Sequence, residues 1–299
     1  MQILKTLSKN QGLSLALGYF DGVHLGHQAV IKSAVDFAQQ NNAKSAVVTF
    51  ADHPCCYFWG VCPKYILTRK AREEKIAALG VDFLYELDFE SISGLTAQEY
   101  LKDVLINYFT PISISTGYNH HFGCKKSGDV KLLASEAKKY GYEYFELPPQ
   151  KLGNTVISST EIRKLLSTGK IENANKMLGY KFTLSGEVVS GQQLGRTIGF
   201  PTANLVYAQE LIDLPFGVYS SNVNYDGKTY RGIANFGTRP TVDGKTSTFE
   251  VHILDFDKDI YGENLFVEFN KMIRKERKFS SLDDLKSQIC LDIAATQAD

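Results

Sequence analysis

The chain has 299 residues, 43% of them hydrophobic and 22% charged, with 33 basic and 33 acidic side chains. That length suits two domains, and the composition excludes a largely disordered chain. With neither a basic half nor an acidic tail, nothing in the charge argues for a nucleic-acid or membrane partner.

In chain order, the first half alternates strand and helix patterns. Leu13–Leu17 is an apolar run ended by Gly18, Gln28–Gln40 has helical spacing at Val30, Ile31, Ala34, Val35 and Ala38, and Ser45–Phe50 is apolar and β-branched. Helices are predicted at Ala71–Leu79, Ala97–Phe109 and Gly128–Lys139, between strands at Asp82–Leu87, Ile112–Thr116 and Tyr142–Leu147. This alternation predicts an α/β domain, a parallel sheet with helices on both faces. Two short helices, Ser159–Ser167 and Ile171–Leu178, follow Pro148-Pro149.

After Gly179 the texture changes to strand patterns without helices: Phe182–Val189, Val218–Tyr225, Thr229–Asn235, Thr248–Leu254 and Leu265–Met272. Asp226-Gly227 marks a hairpin turn. Five or six antiparallel strands predict an all-β barrel, closed by a terminal helix at Ser281–Ile293. The domains are therefore expected at 1–180 and 181–299.

The uncharged run Val104–Cys124 contains Asn107, Pro111, Asn119, His120 and His121 and is too polar to span lipid. Lys5 and Lys9 lie among polar residues with no apolar leader segment beyond them, so no secretory signal is read. Five sparse cysteines suit a reducing cytoplasm. His53, Cys55, Cys56 and Cys62 cluster, but their spacing fits no structural zinc pattern. They are expected to be loop and core thiols.

The segment from Gly18 to His27, Gly-Tyr-Phe-Asp-Gly-Val-His-Leu-Gly-His, ends a strand and opens a helix. A helix N-terminus attracts anions, and glycines such as Gly22 and Gly26 let a ligand approach the backbone. His24 and His27, three apart, can point the same way as two donors to a transferring phosphoryl group. Zinc is the rival reading, but a third ligand is missing. A later segment, Ile157 to Arg163, carries a capping-box pattern from Ser158 to Glu161. Its Ser159 and Arg163 are spaced to share a phosphate. Together the two motifs resemble the nucleotidyltransferase superfamily that makes adenylylated cofactors. The resemblance implies a Rossmann-like domain, ATP phosphates held by both motifs, and attack on the α-phosphorus with pyrophosphate leaving.

The second half opens on Gly191 and Gly195-Arg196-Thr197-Ile198-Gly199-Phe200-Pro201-Thr202-Ala203-Asn204-Leu205. Thr202 and Asn204 face one side of an extended chain. They are hard oxygen ligands suited to Mg²⁺, although Pro-Thr-Ala-Asn also reads as a plain turn. Glu250 and His252 share the strand face opposite Phe249, Val251 and Ile253. A Glu250 carboxylate aimed into a barrel mouth could remove a hydroxyl proton; the alternative is an ordinary solvent face.

These stretches, with Gly217-Val218-Tyr219, Asn235 through Thr241, and Ile273-Arg274 through Phe279, resemble the riboflavin kinase signature. The whole chain resembles the bacterial bifunctional riboflavin kinase/FMN adenylyltransferase family. The resemblance implies that His24 and His27 contact ATP phosphates, with Ser159 and Arg163 opposite, and that Asn119 fills the family's Asn/Asp position in Gly117–Gly123. Gly18, Asp21 and Gly26 in one domain, and Gly195, Arg196 and Thr197 in the other, are the implied nucleotide-binding positions. Thr202 and Asn204 would bind Mg²⁺–ATP, and Glu250 would be the base for riboflavin. Substrates and products are ATP, riboflavin, FMN and FAD. Tyr19 stands where many members have Asn, and His120 where an aromatic such as Phe is usual. The alternatives are a monofunctional riboflavin kinase with a degenerate first domain, or a non-catalytic flavin-binding regulator.

Overall fold

The computed structural model describes residues 1–7, 9, 12–191, 193–241 and 244–297, and of residues 59, 194, 238–241 and 244–247 it describes the backbone. The chain divides into two units, Met1–Ser159 and Thr160–Asp299.

In the first unit β1 (Gln2–Leu4), β2 (Leu13–Leu17), β3 (Lys44–Phe50), β4 (Phe83–Leu87), β5 (Ser113–Gly117) and β8 (Glu143–Leu147) form a parallel sheet in the order β1-β4-β3-β2-β5-β8. Two short hairpins, β6 (His121–Phe122) with β7 (Gly128–Asp129) and β9 (Lys151–Leu152) with β10 (Thr155–Val156), complete its strands. The helices are α1 (Leu25–Gln40), α2 (Pro54–Trp59), α3 (Arg69–Ala77), α4 (Phe89–Ile92), α5 (Ala97–Glu99), α6 (Asn107–Phe109) and α7 (Val130–Tyr140). A π-helical stretch, Tyr100–Ile106, joins α5 to α6.

The alternation along the strands assigns each face its cover. Leu13, Leu15, Leu17, Ala46, Val48 and Tyr85 pack with Leu101, Val104, Leu105 and Phe109 of the helical stretch 97–109. The other face carries Ser14, Ala16, Ser45 and Val47 and meets α1, whose buried side is Val30, Ile31, Ala34, Val35 and Ala38. From β2 the sheet grows to β3 and β4 on one side and to β5 and β8 on the other. The crevice at that reversal, beyond the carboxyl ends of β2 and β5, is where open α/β sheets hold ligands. The parallel sheet expected from the sequence is thus present. The sequence reading did not place β1 or α2, both too short to show a period.

The second unit takes α8 (Ser159–Ser167) from its second residue, then α9 (Ile171–Leu178), β11 (Thr183–Val189), α10 (Leu194–Thr197), β12 (Ala203–Tyr207), β13 (Gly217–Tyr225), β14 (Lys228–Thr241), β15 (Gly244–Ile253), β16 (Asn264–Lys275) and α11 (Leu282–Gln297). Its six strands close into an antiparallel barrel in the order β11-β12-β15-β14-β13-β16, as the strand patterning predicts. Aromatic rings fill the interior: Phe236 stacks on Phe249 at 4.5 Å, and Phe269 lies 5.9 Å from Phe236 and 5.6 Å from Tyr219. The structural division falls well before residue 180 because α9 belongs to the barrel: Asn175 donates Nδ2 to Phe269 O at 2.8 Å and accepts from Phe182 N at 2.7 Å.

Candidate active sites

The first site grows from the end of β2. Helix α1 starts at Leu25, three residues earlier than its apolar spacing predicts, because His24 serves as N-cap: its Nδ1 accepts from His27 N at 3.2 Å. The ring is 5% exposed, and burial lowers its pKa to about 4. A neutral ring whose Nδ1 accepts carries its hydrogen on Nε2, so Nε2 is the donor that His24 can present. The His27 ring stacks on it, centroids 3.5 Å apart and planes at 19°, so the two imidazoles do point the same way. Gly26 has a specific reason to be glycine: a Cβ there would stand 3.2 Å from the His24 ring. The pair therefore depends on its glycine for packing, not only for ligand approach.

The other candidates separate into anchors and edges. Asp21 is 3% exposed and accepts from Ile66 N at 3.1 and 3.2 Å and from Leu67 N at 3.4 Å. The carboxylate of Asp21, expected at a nucleotide-binding position, holds the loop to the backbone before α3. Ser159 Oγ donates to Asp21 O at 2.9 Å, so the late motif reaches the first one. Gly18 ends β2, and Asn119 lies exposed in the turn after β5. Arg163 stands one turn beyond Ser159 on α8, in the second unit.

Sequence reading missed the ion pair beneath this loop. Arg72, 3% exposed, donates Nη2 to Glu86 Oε1 at 3.2 Å and to Phe50 O at 2.9 Å, and Nη1 to Tyr19 O at 3.3 Å. Its guanidinium also covers the Tyr19 ring at 4.7 Å, and Arg69 pairs with the same Glu86. The Tyr19 ring meets His53 edge-on at 4.7 Å, and burial pushes its hydroxyl far above the ordinary tyrosine range. The available signal was Glu86 itself, a lone carboxylate in the apolar strand Phe-Leu-Tyr-Glu-Leu, which demands a buried partner.

His53 caps α2, accepting from Cys55 N at 3.1 Å. Cys56 and Cys62 are joined in a disulfide, which corrects the expectation of loop thiols; Cys55, Cys124 and Cys290 are free. Among the described residues no three His, Cys, Asp or Glu side chains group as a metal site.

The second site lies on the outer wall of the barrel. Phe249 and Val251 turn inward, so Glu250 between them faces out; it does not point into a barrel mouth. Register aligns it in one row across five strands: Asn204 on β12, Glu250 on β15, Asn235 on β14, Val218 on β13 and Arg274 on β16. Directly paired residues share a face, and all five line one cavity of about 400 Å³. Gly195, Thr202, His252 and the terminal helix also line it. A second cavity of about 260 Å³, lined by Arg196, Ala203, Val251 and the segment 256–261, shares Thr202 with the first as a lining residue. His252 Nδ1 bonds Pro201 O at 2.7 Å and fixes the approach to Thr202. Gly191 admits the Asn204 amide, which a Cβ would meet at 2.2 Å. Thr197 ends α10. The side chains of 238–241, part of the signature stretch from Asn235, lie outside the described residues.

A riboflavin kinase family model matches residues 178–298, and a FAD synthetase model matches residues 6–161. The bifunctional riboflavin kinase/FMN adenylyltransferase of Listeria monocytogenes is 37% identical over 291 residues, covering 95% of this chain and 91% of its own.

This chain belongs to the family of bifunctional riboflavin kinase/FMN adenylyltransferases.

The family member from Escherichia coli K12 is 36% identical, covering 94% of this chain and 91% of its own. A crystal structure described as a macrolide-efflux protein from Streptococcus pneumoniae has the same fold, with a TM-score of 0.87, 35% identity, and coverage of 98% of this chain and 95% of its own. Among the described residues of this family member, no helix is long and apolar enough to cross a membrane.

Proposed function

We propose that this chain makes both flavin cofactors. Its barrel transfers the γ-phosphoryl group of ATP to riboflavin, giving FMN and ADP. Its α/β half transfers the adenylyl group of ATP to FMN, giving FAD and pyrophosphate. Adenylyl transfer is assigned to the α/β unit and phosphorylation to the barrel unit, whose α9 falls on the near side of the boundary at residue 180 expected from the sequence. A cytoplasmic site of action belongs to the same reading, since both steps consume ATP.

The observation that carries the reading is that Thr202, Asn204 and Glu250 line one cavity and that Thr202 lines a second as well. A kinase must hold two substrates with their reacting atoms adjacent. In the phosphorylation, the ribityl hydroxyl gives its proton to Glu250 as its oxygen bonds the γ-phosphorus, and the bond from that phosphorus to the bridging oxygen breaks to release ADP. The Thr202 hydroxyl and the Asn204 amide, an oxygen pair lining one cavity, fit a hard cation that arrives with nucleotide phosphates. Mg²⁺, when bound there, neutralises phosphate charge.

In adenylyl transfer an FMN phosphate oxygen bonds the α-phosphorus, and the α–β bridging bond breaks to release pyrophosphate. The His24 Nε2–H and the positive end of α1, at the sheet's switch point, steady the charge that builds on phosphate. His27, Ser159, Asn119 and Arg163 remain assigned to the same step. The test is product analysis by chromatography: riboflavin with ATP and Mg²⁺ is expected to give FMN and ADP, and FMN with ATP and Mg²⁺ to give FAD and pyrophosphate. A chain that makes FMN but no FAD would reduce it to a riboflavin kinase. One that binds flavin without turnover would make it a regulator.

A further inference from the structure

The row across the barrel ends at Arg274, and the terminal helix meets it with a buried carboxylate. Arg274 donates Nε to both oxygens of Asp292 at 3.1 Å and Nη2 to Oδ2 at 2.8 Å. Asp292 is 2% exposed and also accepts from Gln288 Nε2, one turn earlier, at 2.7 Å. Beside the pair, Phe279 lies under two guanidinium groups, Arg274 at 5.6 Å and Arg277 at 4.8 Å. Phe279, Leu285 and Ile289 line the same cavity as Glu250.

A buried ion pair adds little net stability over an apolar pair of similar size, whereas removing one partner exposes the cost of the other. Stability alone therefore gives this pair no advantage at the position. Its geometry does something an apolar pair cannot: a bidentate carboxylate fixes the direction of the guanidinium. Arg274 stands three strand spacings, about 14 Å, from Glu250 along the row. Without Asp292, its guanidinium has the open cavity before it, where Glu250 and Glu276 are the other carboxylates. It would then occupy the space between the row and Phe279.

We infer that Asp292 is a positioning residue for riboflavin phosphorylation: by clamping Arg274 against the terminal helix, it keeps the flavin side of the cavity open and the guanidinium away from Glu250. The inference rests on the assignment of riboflavin to this cavity. The occupant it implies beside Phe279 is a neutral, planar heteroaromatic ring.

The test uses the full-length chain. D292N is expected to raise the riboflavin KM about tenfold while the ATP KM stays within about twofold, a split that reports lost substrate binding. FAD formation from added FMN should be unchanged. The second variant, R274M/D292L, removes the guanidinium together with its clamp, so riboflavin KM should return to within about twofold of the parent. Overturning results are a D292N riboflavin KM within twofold of the parent, a D292N ATP KM that rises in step with it, or a riboflavin KM that stays raised in R274M/D292L, where no guanidinium is left to be displaced. E250Q tests the underlying assignment separately: full kinase turnover there would remove riboflavin from this cavity, whatever D292N does.

Discussion

The two candidate sites are built by opposite routes. In the α/β unit, His24, Gly26 and His27 lie within four residues of one loop and helix start, and the site is local in sequence. In the barrel, Asn204, Glu250, Asn235, Val218 and Arg274 come from five strands, and only their register makes them neighbours. A local site survives as long as its turn and cap survive. A register-built site exists only when the whole barrel has closed, because slipping one strand by one residue turns its member to the interior.

The largest expected effect comes from separating the two. A fragment of residues 160–299 should keep riboflavin phosphorylation and lose FAD formation altogether, as read by product chromatography. A fragment starting at Tyr180 discards Asn175 and its bonds to Phe182 and Phe269, and should melt at a lower temperature. If the 160–299 fragment folds by circular dichroism yet phosphorylates nothing, the two sites are not independent.

Within the barrel, E250Q should lower the kinase rate by about 10²–10⁴, the usual contribution of a positioned base. FAD formation from FMN should not change, since that nucleophile is already ionised. Steady-state kinetics on both reactions check it, and normal kinase turnover would end the role.

In the α/β unit, His24→Ala and His27→Ala should each cut kcat for FAD formation by about 10²–10³ and spare the kinase. His24→Ala also removes an N-cap, at a cost of about 1 kcal/mol. His24→Asn keeps a capping oxygen, so its melting temperature should stay nearer the parent's while its adenylyl transfer stays low. Equal activity in His24→Asn and the parent would reduce His24 to a cap.

The smallest effect is on acid stability. Burial holds the folded His24 pKa at about 4, below the ordinary value of 6.5. Between these values the unfolded chain binds the extra proton, so the contribution is complete above about pH 6.5 and is lost as pH falls towards 4. His120 is lowered to about 4 as well, first by burial and then by His121. From about pH 7 to about pH 5, the urea midpoint of His24→Asn should therefore fall less than that of the parent. Parallel falls would show that His24 does not carry the effect.

These contrasts also explain what could be read from the sequence. The apolar periods gave the parallel sheet, the antiparallel strands and the terminal helix, and the spacing of His24 and His27 gave their common direction, though not their stacking. The bonds between Asp21 and the Ile66 and Leu67 amides were not legible, because a carboxylate in a glycine-rich loop looks the same in sequence whatever it faces. Alternation around Glu250 separated two faces but could not say which was interior; the mutual packing of Phe236, Phe249 and Phe269 decides that. Asp292 lies in the predicted terminal helix and Arg274 two residues beyond the predicted strand Leu265–Met272, and their pairing depends on where that helix docks.

Closure of the barrel has a consequence during synthesis. Its first strand pairs with its last, Thr183 opposite Glu268. The parallel sheet of the other unit is complete once Leu147 has been made, so that half can fold while the ribosome is still translating the rest. The barrel has no such head start. Until residue 275 leaves the exit tunnel, β11 and β13 each lack the partner that covers one edge, and such long-range pairings form slowly. The kinase half is therefore where a stalled or hurried ribosome exposes sticky strand edges, and where chaperone engagement on the nascent chain is expected to concentrate.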